Sequence, residues 1–225
     1  AVGHYGRVDY PQALLPVHQT HEQAFETYLL SNRNGFHWTW TDRYRPFLGQ
    51  RGKGTYDAGY MGPAASIVHD NKVFIFYGAF CGSHSKQINP NPLGRLGPPK
   101  HTAIALTTMP VDRYVGMLAG SRPGLLATHA LTFRGLKLQI DFDASLPIDN
   151  VSGGHRGGPQ VRVSVLTAMG DPISGFGIGD CKPMYKSGIH EVSWGDADLS
   201  DLQERRIRLR FEFRHAALYS YRFIE

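Results

Sequence analysis

The sequence predicts an all-β protein in two parts, residues 1–123 and residues 124–225. Three observations carry this reading. No window of helical length holds a sustained 3.6-residue apolar stripe. Glycine (26) and proline (14) recur at short intervals along the chain. Between them lie short apolar runs, many of them alternating, which is the pattern of half-buried strands. With 41% hydrophobic, 12% aromatic and 19% charged residues over 225 positions, the chain has enough apolar material for a core and is too apolar to stay disordered.

Taken in order, Phe25 to Ser31 reads as the first strand. Asn34-Gly35 follows as a strong tight-turn signal, and Phe36 to Trp40 is expected as the returning strand. Ala64 to His69 and Lys72 to Phe80 repeat the arrangement around Asp70-Asn71. Thr102 to Thr108 and Tyr114 to Leu118 add further strands. Asn89 to Pro99, with four prolines, reads as a long loop of the kind that often carries function. Beyond Gly124 the texture changes to evenly spaced strands: Leu125 to Phe133, Lys137 to Phe142, Gln160 to Leu166, His190 to Trp194, Arg206 to Arg214 and Ala217 to Phe223. Val161, Val163 and Val165 alternate with Arg162 and Ser164, giving one dry and one wet face. Six or seven such strands over about 100 residues suggest a β-sandwich. Asp149 to Pro159, glycine-rich, is expected as a flexible insertion, and Asp198 to Leu202 as a single helical turn.

Lysine plus arginine is 24 and aspartate plus glutamate 19, a formal charge of +5. The densest basic run, Arg205 to Arg214, largely alternates with Ile207, Leu209, Phe211 and Phe213. It reads as the solvent face of a strand, so no nucleic-acid partner is expected. No stretch approaches the ~20 apolar residues of a membrane span, and no membrane partner is expected. No signal peptide is visible, although an exported protein whose signal is removed before Ala1 is compatible with the sequence. Cys81 and Cys181 are read as two buried thiols, with a disulfide left open. His18 and His21, and Cys81 and His84, have metal-like spacing, but no second pair completes a zinc site, so no metal or cofactor is expected. A nucleophile-elbow serine, a phosphate-binding loop and a dinucleotide fingerprint are all missing from the sequence.

Several segments of the first part stand in a recognisable order. They are Leu30 to Trp38, then Tyr56-Asp57-Ala58-Gly59-Tyr60-Met61, then Val73 to Phe80 with Gly82-Ser83-His84. They resemble the later blades of five-bladed β-propeller proteins similar to glycoside hydrolase family 32, the invertase and levanase group, and its neighbours in family 43. In the second part, Gly170-Asp171-Pro172-Ile173, Asp180-Cys181, Glu191 to Trp194, Ile207 to Phe211 and Leu218 to Tyr221 resemble the β-sandwich appended to such propellers. The resemblance implies a partial β-propeller of two to three blades followed by a β-sandwich. It also implies a carbohydrate-active protein that acts on or binds a glycan.

Five blades of roughly 50 residues would need about 250 residues, whereas 123 precede Gly124. The family's Trp-x-Asn-Asp-Pro and Arg-Asp-Pro motifs, which carry its catalytic carboxylates, do not occur here. The resemblance therefore implies a glycoside hydrolase only if the remaining blades come from another polypeptide or another copy. The open sheet flank would then favour a homo-oligomer or association with a chain carrying those blades. The alternative is a non-catalytic carbohydrate-binding or structural module. Asp57, in an aromatic and glycine-rich loop, is the candidate catalytic carboxylate, with turn capping as its structural alternative. Tyr60, Tyr77, His84, Trp40 and Arg45 are the candidate substrate-binding residues.

Overall fold

A computed structural model describes residues 2–3, 12–21, 23–32, 34–52, 55–82, 102–145 and 157–225. The chain is all-β: among the described residues the regular elements are strands and one 3-10 turn at Leu199–Leu202. It divides into two compact units, Ala1–Val111 and Asp112–Glu225. His84, Asn89 to Pro99 and most of the insertion expected at Asp149 to Pro159 lie outside the described residues.

In the first unit β1 (Val2–Gly3), β2 (Gln12–Gln19), β3 (Ala24–Asn32) and β4 (Trp38–Trp40) form one antiparallel sheet in sequential order. β2 was not foreseen, because Leu14, Leu15 and Val17 are interrupted by Pro16 and flanked by polar residues. It pairs with β3 along its whole length, from Gln12 opposite Ser31 to Gln19 opposite Ala24. Thr27 to Leu30 of β3 are all buried, so both faces of this stretch are covered. After β4 the chain returns along β3, where Thr27 N–H donates to the Leu48 carbonyl and Leu48 N–H donates back to Thr27. This return delivers Gln50 and Arg51 to the candidate site.

The Asn34-Gly35 signal does not produce the expected two-residue turn. Asn32 pairs with Trp38, which leaves a five-residue loop. Asn32 Oδ1 accepts from Asn34 and Gly35 N–H, and Asn34 Oδ1 accepts from Phe36 and His37 N–H. Two side chains thus outcompete the ladder for these donors. Gly35 sits at φ +80°, where a side chain is disfavoured.

β5 (Tyr60–His69), β6 (Lys72–Phe80) and β7 (Thr102–Pro110) make the second sheet, again in sequential order. Asp70 and Asn71 both have positive φ, 46° and 57°, and His69 pairs with Lys72. That is the two-residue turn whose twist suits a hairpin. The β6 residues Val73, Ile75, Tyr77 and Ala79 are 0–3% exposed and form its inner face. β5 lies against β2 and β3.

The second unit also holds two antiparallel sheets, and its strands are β8 (Met117–Ala119), β9 (Gly124–Ala127), β10 (Lys137–Asp143), β11 (Gln160–Thr167), β12 (Gly188–Val192), β13 (Ile207–Arg214) and β14 (Ala216–Ile224). One sheet has the order β12-β10-β14-β8 and the other β11-β13-β9, so the chain changes sheet at every successive strand. The sequence texture places the division near Gly124. The unit instead begins at Asp112, because β8 pairs with β14.

One apolar cluster draws on both of these sheets. It includes Leu138, Ile140 and Phe142 from one and Val161, Val163, Leu209 and Phe211 from the other, each 0–1% exposed. Burying each such side chain contributes roughly 1.5–3 kcal/mol. Trp194, also within this cluster, donates its indole N–H to the Val163 carbonyl at 2.7 Å, so its one polar group is satisfied.

β13 alternates as read. Ile207, Leu209, Phe211 and Phe213 are buried, while Arg208 and Arg210 turn outward and bond the Ala168 carbonyl and the Ser164 hydroxyl. One residue, His215 at φ 45°, takes the chain from β13 in one sheet to β14 in the other. Cys81 and Cys181 form no disulfide. Burial pushes the Cys181 thiol up, which keeps it protonated and unreactive.

Candidate functional site

The loop Gln50–Gly59 positions Asp57 against the end of β6. Gln50 Nε2 donates to the Gly59 carbonyl at 2.8 Å, Arg51 N–H donates to the Asp57 carbonyl at 3.4 Å, and Gly59 N–H donates to the Phe80 carbonyl at 2.8 Å. A Cβ at position 59 would collide with the Gly82 backbone, so only glycine lets the loop settle this close to β6.

At the centre, the Tyr77 hydroxyl donates to Asp57 Oδ2 at 2.9 Å, and Arg51 Nε approaches the same oxygen at 3.3 Å. Asp57 is 0% and Tyr77 3% exposed, whereas 58% of the Arg51 side chain is open to solvent. The cluster is therefore a buried carboxylate held by a buried phenol and a surface guanidinium. Burial pushes the Tyr77 phenol well above its ordinary range, and the bond to the Asp57 carboxylate pushes it further. Tyr77 thus stays a neutral donor. Asp57 Oδ1 is buried without a hydrogen-bond partner among the described residues. An unsatisfied buried acceptor is costly and favours any O–H or N–H donor that reaches it.

Of the six candidate residues, the structure brings Asp57 and Tyr77 together. Asp57 does not cap its own turn: its side chain is spent on Tyr77 and Arg51. Trp40 is half-buried and packs edge-on against Tyr28, with ring centroids 5.3 Å apart, which is a packing role within the first sheet. Arg45 is exposed in a turn where Asp42 Oδ1 accepts from Tyr44 and Arg45 N–H. Tyr60 is the first residue of β5, and its side chain lies outside the described residues, as does His84. Tyr56, beside Asp57, is 42% exposed. Arg51 was missed, because nothing in the irregular Gln50 to Thr55 run marks it. The only available signal was a cation six residues before an acid in one loop.

Glycoside hydrolysis needs two carboxylates flanking the scissile bond at about 5–9 Å separation. Asp57 is the one carboxylate among the charged groups acting on Tyr77. At 0% exposure it cannot meet an anomeric carbon in this arrangement. Among the described residues, no group of three or more His, Cys, Asp or Glu is placed to hold a metal ion. The chain matches no protein-family model and no curated protein.

Proposed function

We propose that this protein is a carbohydrate-binding protein akin to glycoside hydrolases of families 32 and 43. In this reading residues 1–111 form blades of a β-propeller and residues 112–225 form its β-sandwich. Sequentially ordered antiparallel sheets packed together in the first unit are what successive blades require. Two sheets sharing one apolar core in the second unit are what a sandwich requires.

The observation that carries the functional reading is the 42% exposed Tyr56 ring, held on a loop that the buried Asp57–Tyr77 contact fixes in place. An exposed aromatic ring on a fixed loop suits a sugar, whose apolar ring face stacks on it. Deep burial of Asp57, with no second carboxylate acting on Tyr77 among the described residues, favours binding over bond cleavage by this chain's own residues.

The test uses the full chain on an immobilised glycan panel and on a panel of aryl glycosides. Glycan retention without turnover, weakened in Tyr56→Ala and in Asp57→Asn, is the expected result. Absence of retention on every glycan overturns the reading. Turnover lost in Asp57→Asn would instead make the chain a hydrolase.

A further inference from the structure

Asn34 is the one asparagine of this chain that precedes a glycine, and the loop that carries it is open. Asn34, Gly35, Phe36 and His37 are all exposed. The Phe36 ring is 86% exposed, so local opening here gives up little packing. A Cβ at position 35 would meet no atom within 4 Å, so nothing crowds the backbone next to the Asn34 side chain. The Asn34 carboxamide is polarised as well: its Oδ1 accepts from the Phe36 N–H at 3.0 Å and from the His37 N–H at 2.9 Å. The Gly35 N–H in turn donates to Asn32 Oδ1 at 2.6 Å.

We infer that Asn34 is a self-modification site, at which the backbone nitrogen of Gly35 and then water convert the side-chain amide to a carboxylate. The Gly35 nitrogen, on losing its proton, attacks Asn34 Cγ. The new N–C bond closes a cyclic imide, the bond from Cγ to the amide nitrogen breaks, and the amino group leaves with a proton as ammonia. Water then opens the imide at either carbonyl and leaves aspartate, or isoaspartate with the main chain running through the side chain. One amide and one water become one carboxylic acid and one ammonia, with no change of oxidation state. The two N–H groups on Oδ1 lie where negative charge develops as the nitrogen adds, which is the arrangement of an oxyanion hole. The short bond to Asn32 polarises the N–H that must ionise.

The other asparagines lack this combination. Asn32 is 1% exposed and precedes Arg33. Asn71 precedes Lys72, whose backbone is committed to the β5–β6 ladder opposite His69 and whose side chain hinders the approach. Asn89 and Asn91 precede prolines, whose nitrogen has no proton to lose. Asn150 precedes the β-branched Val151. The product also suits the loop at position 34. A carboxylate there accepts the same two N–H bonds, and more strongly because it is charged. Each conversion lowers the formal charge of +5 by one. The modification needs neither a propeller nor a glycan, so it and the reading above fail independently.

Peptide mapping by mass spectrometry on the folded full chain, aged at mildly alkaline pH, tests this, with isoelectric focusing as a second readout. Asn34 should convert at least about tenfold faster than Asn32 or Asn71. One oxyanion donor is worth more than that in a water-excluded site, and less in a loop where water competes. Asn34→Gln, whose longer side chain must close a larger ring, should abolish the more acidic form. Asn34→Asp should focus with the aged protein and melt at the same temperature as the fresh wild type or higher. The inference is overturned by an Asn34 that converts in urea but stays intact in the folded chain, or by conversion no faster than at Asn71. It is equally overturned by an acidic form that persists in Asn34→Gln, or by a lower melting temperature in Asn34→Asp.

Discussion

Tyr77→Phe isolates what holds the Asp57 loop in place. The phenol is 3% exposed and donates to a carboxylate that is itself 0% exposed, at 2.9 Å. A hydrogen bond to a charged group under these conditions is worth roughly 1.5–3 kcal/mol. Asp57 Oδ1 already lacks a partner, so loss of the Tyr77 donor leaves Arg51 as the side chain holding the carboxylate. The Arg51 side chain is 58% exposed, and solvent screening limits such a pair to about 1 kcal/mol or less.

Tyr77→Phe should therefore cost about 2 kcal/mol and Arg51→Gln less than about 1 kcal/mol. For a chain of 225 residues the first corresponds to a drop in Tm of roughly 4–8 °C. Thermal and urea unfolding followed by far-ultraviolet circular dichroism at neutral pH measures both. An Arg51→Gln variant that loses as much stability as Tyr77→Phe would refute the reasoning, because the surface ion pair would then be what holds the loop.

Three further outcomes are expected. Arg113 donates to both oxygens of Asp141 at 2.8 and 2.6 Å and lies 4.9 Å from the centre of the Tyr219 ring. Since the Asp141 side chain is only 9% exposed, Arg113→Ala leaves a buried charge uncompensated and should cost about 3 kcal/mol in equilibrium unfolding. Gly59→Ala forces a methyl group into the Gly82 backbone and should destabilise by about 1–3 kcal/mol or more, with faster proteolysis of the 50–59 loop. Tyr28, Tyr77 and Tyr219 are each raised above the ordinary value of 10.0, with burial the largest cause in every case. The folded state keeps these protons after the unfolded state releases them. Stability is therefore full below about pH 10 and falls as pH rises through the folded values. Unfolding measured across that window should show a shallower decline in Tyr77→Phe than in the wild type.

Much of the fold is written locally. Alternation along Ile207 to Phe213 fixes which side chains of β13 are buried, whereas on β11 Ser164, expected on a wet face, is 1% exposed and accepts from Arg210 of the neighbouring strand. Asp70-Asn71 sets its turn because both residues tolerate positive φ. Where side chains compete with the ladder the local signal misleads: Asn32 and Asn34 take up the loop amides and turn an expected tight hairpin into a five-residue loop. β2 escaped notice because Pro16 breaks a weak apolar run whose strand character depends on pairing with β3.

Asp57 and Tyr77 could be chosen singly from the sequence, since an acid in an aromatic, glycine-rich loop and a tyrosine on an apolar strand are visible one by one. Their contact, across twenty residues, and the arrival of Arg51 beside them could not. Sequence alone established an all-β chain with alternating strands, because side-chain direction and turn geometry depend on neighbours along the backbone. Only the tertiary structure decided which faces meet, that Asp57 is sealed from solvent, and that Ile104 and Leu106 are not. Burial depends on what distant segments cover, and no local pattern encodes that.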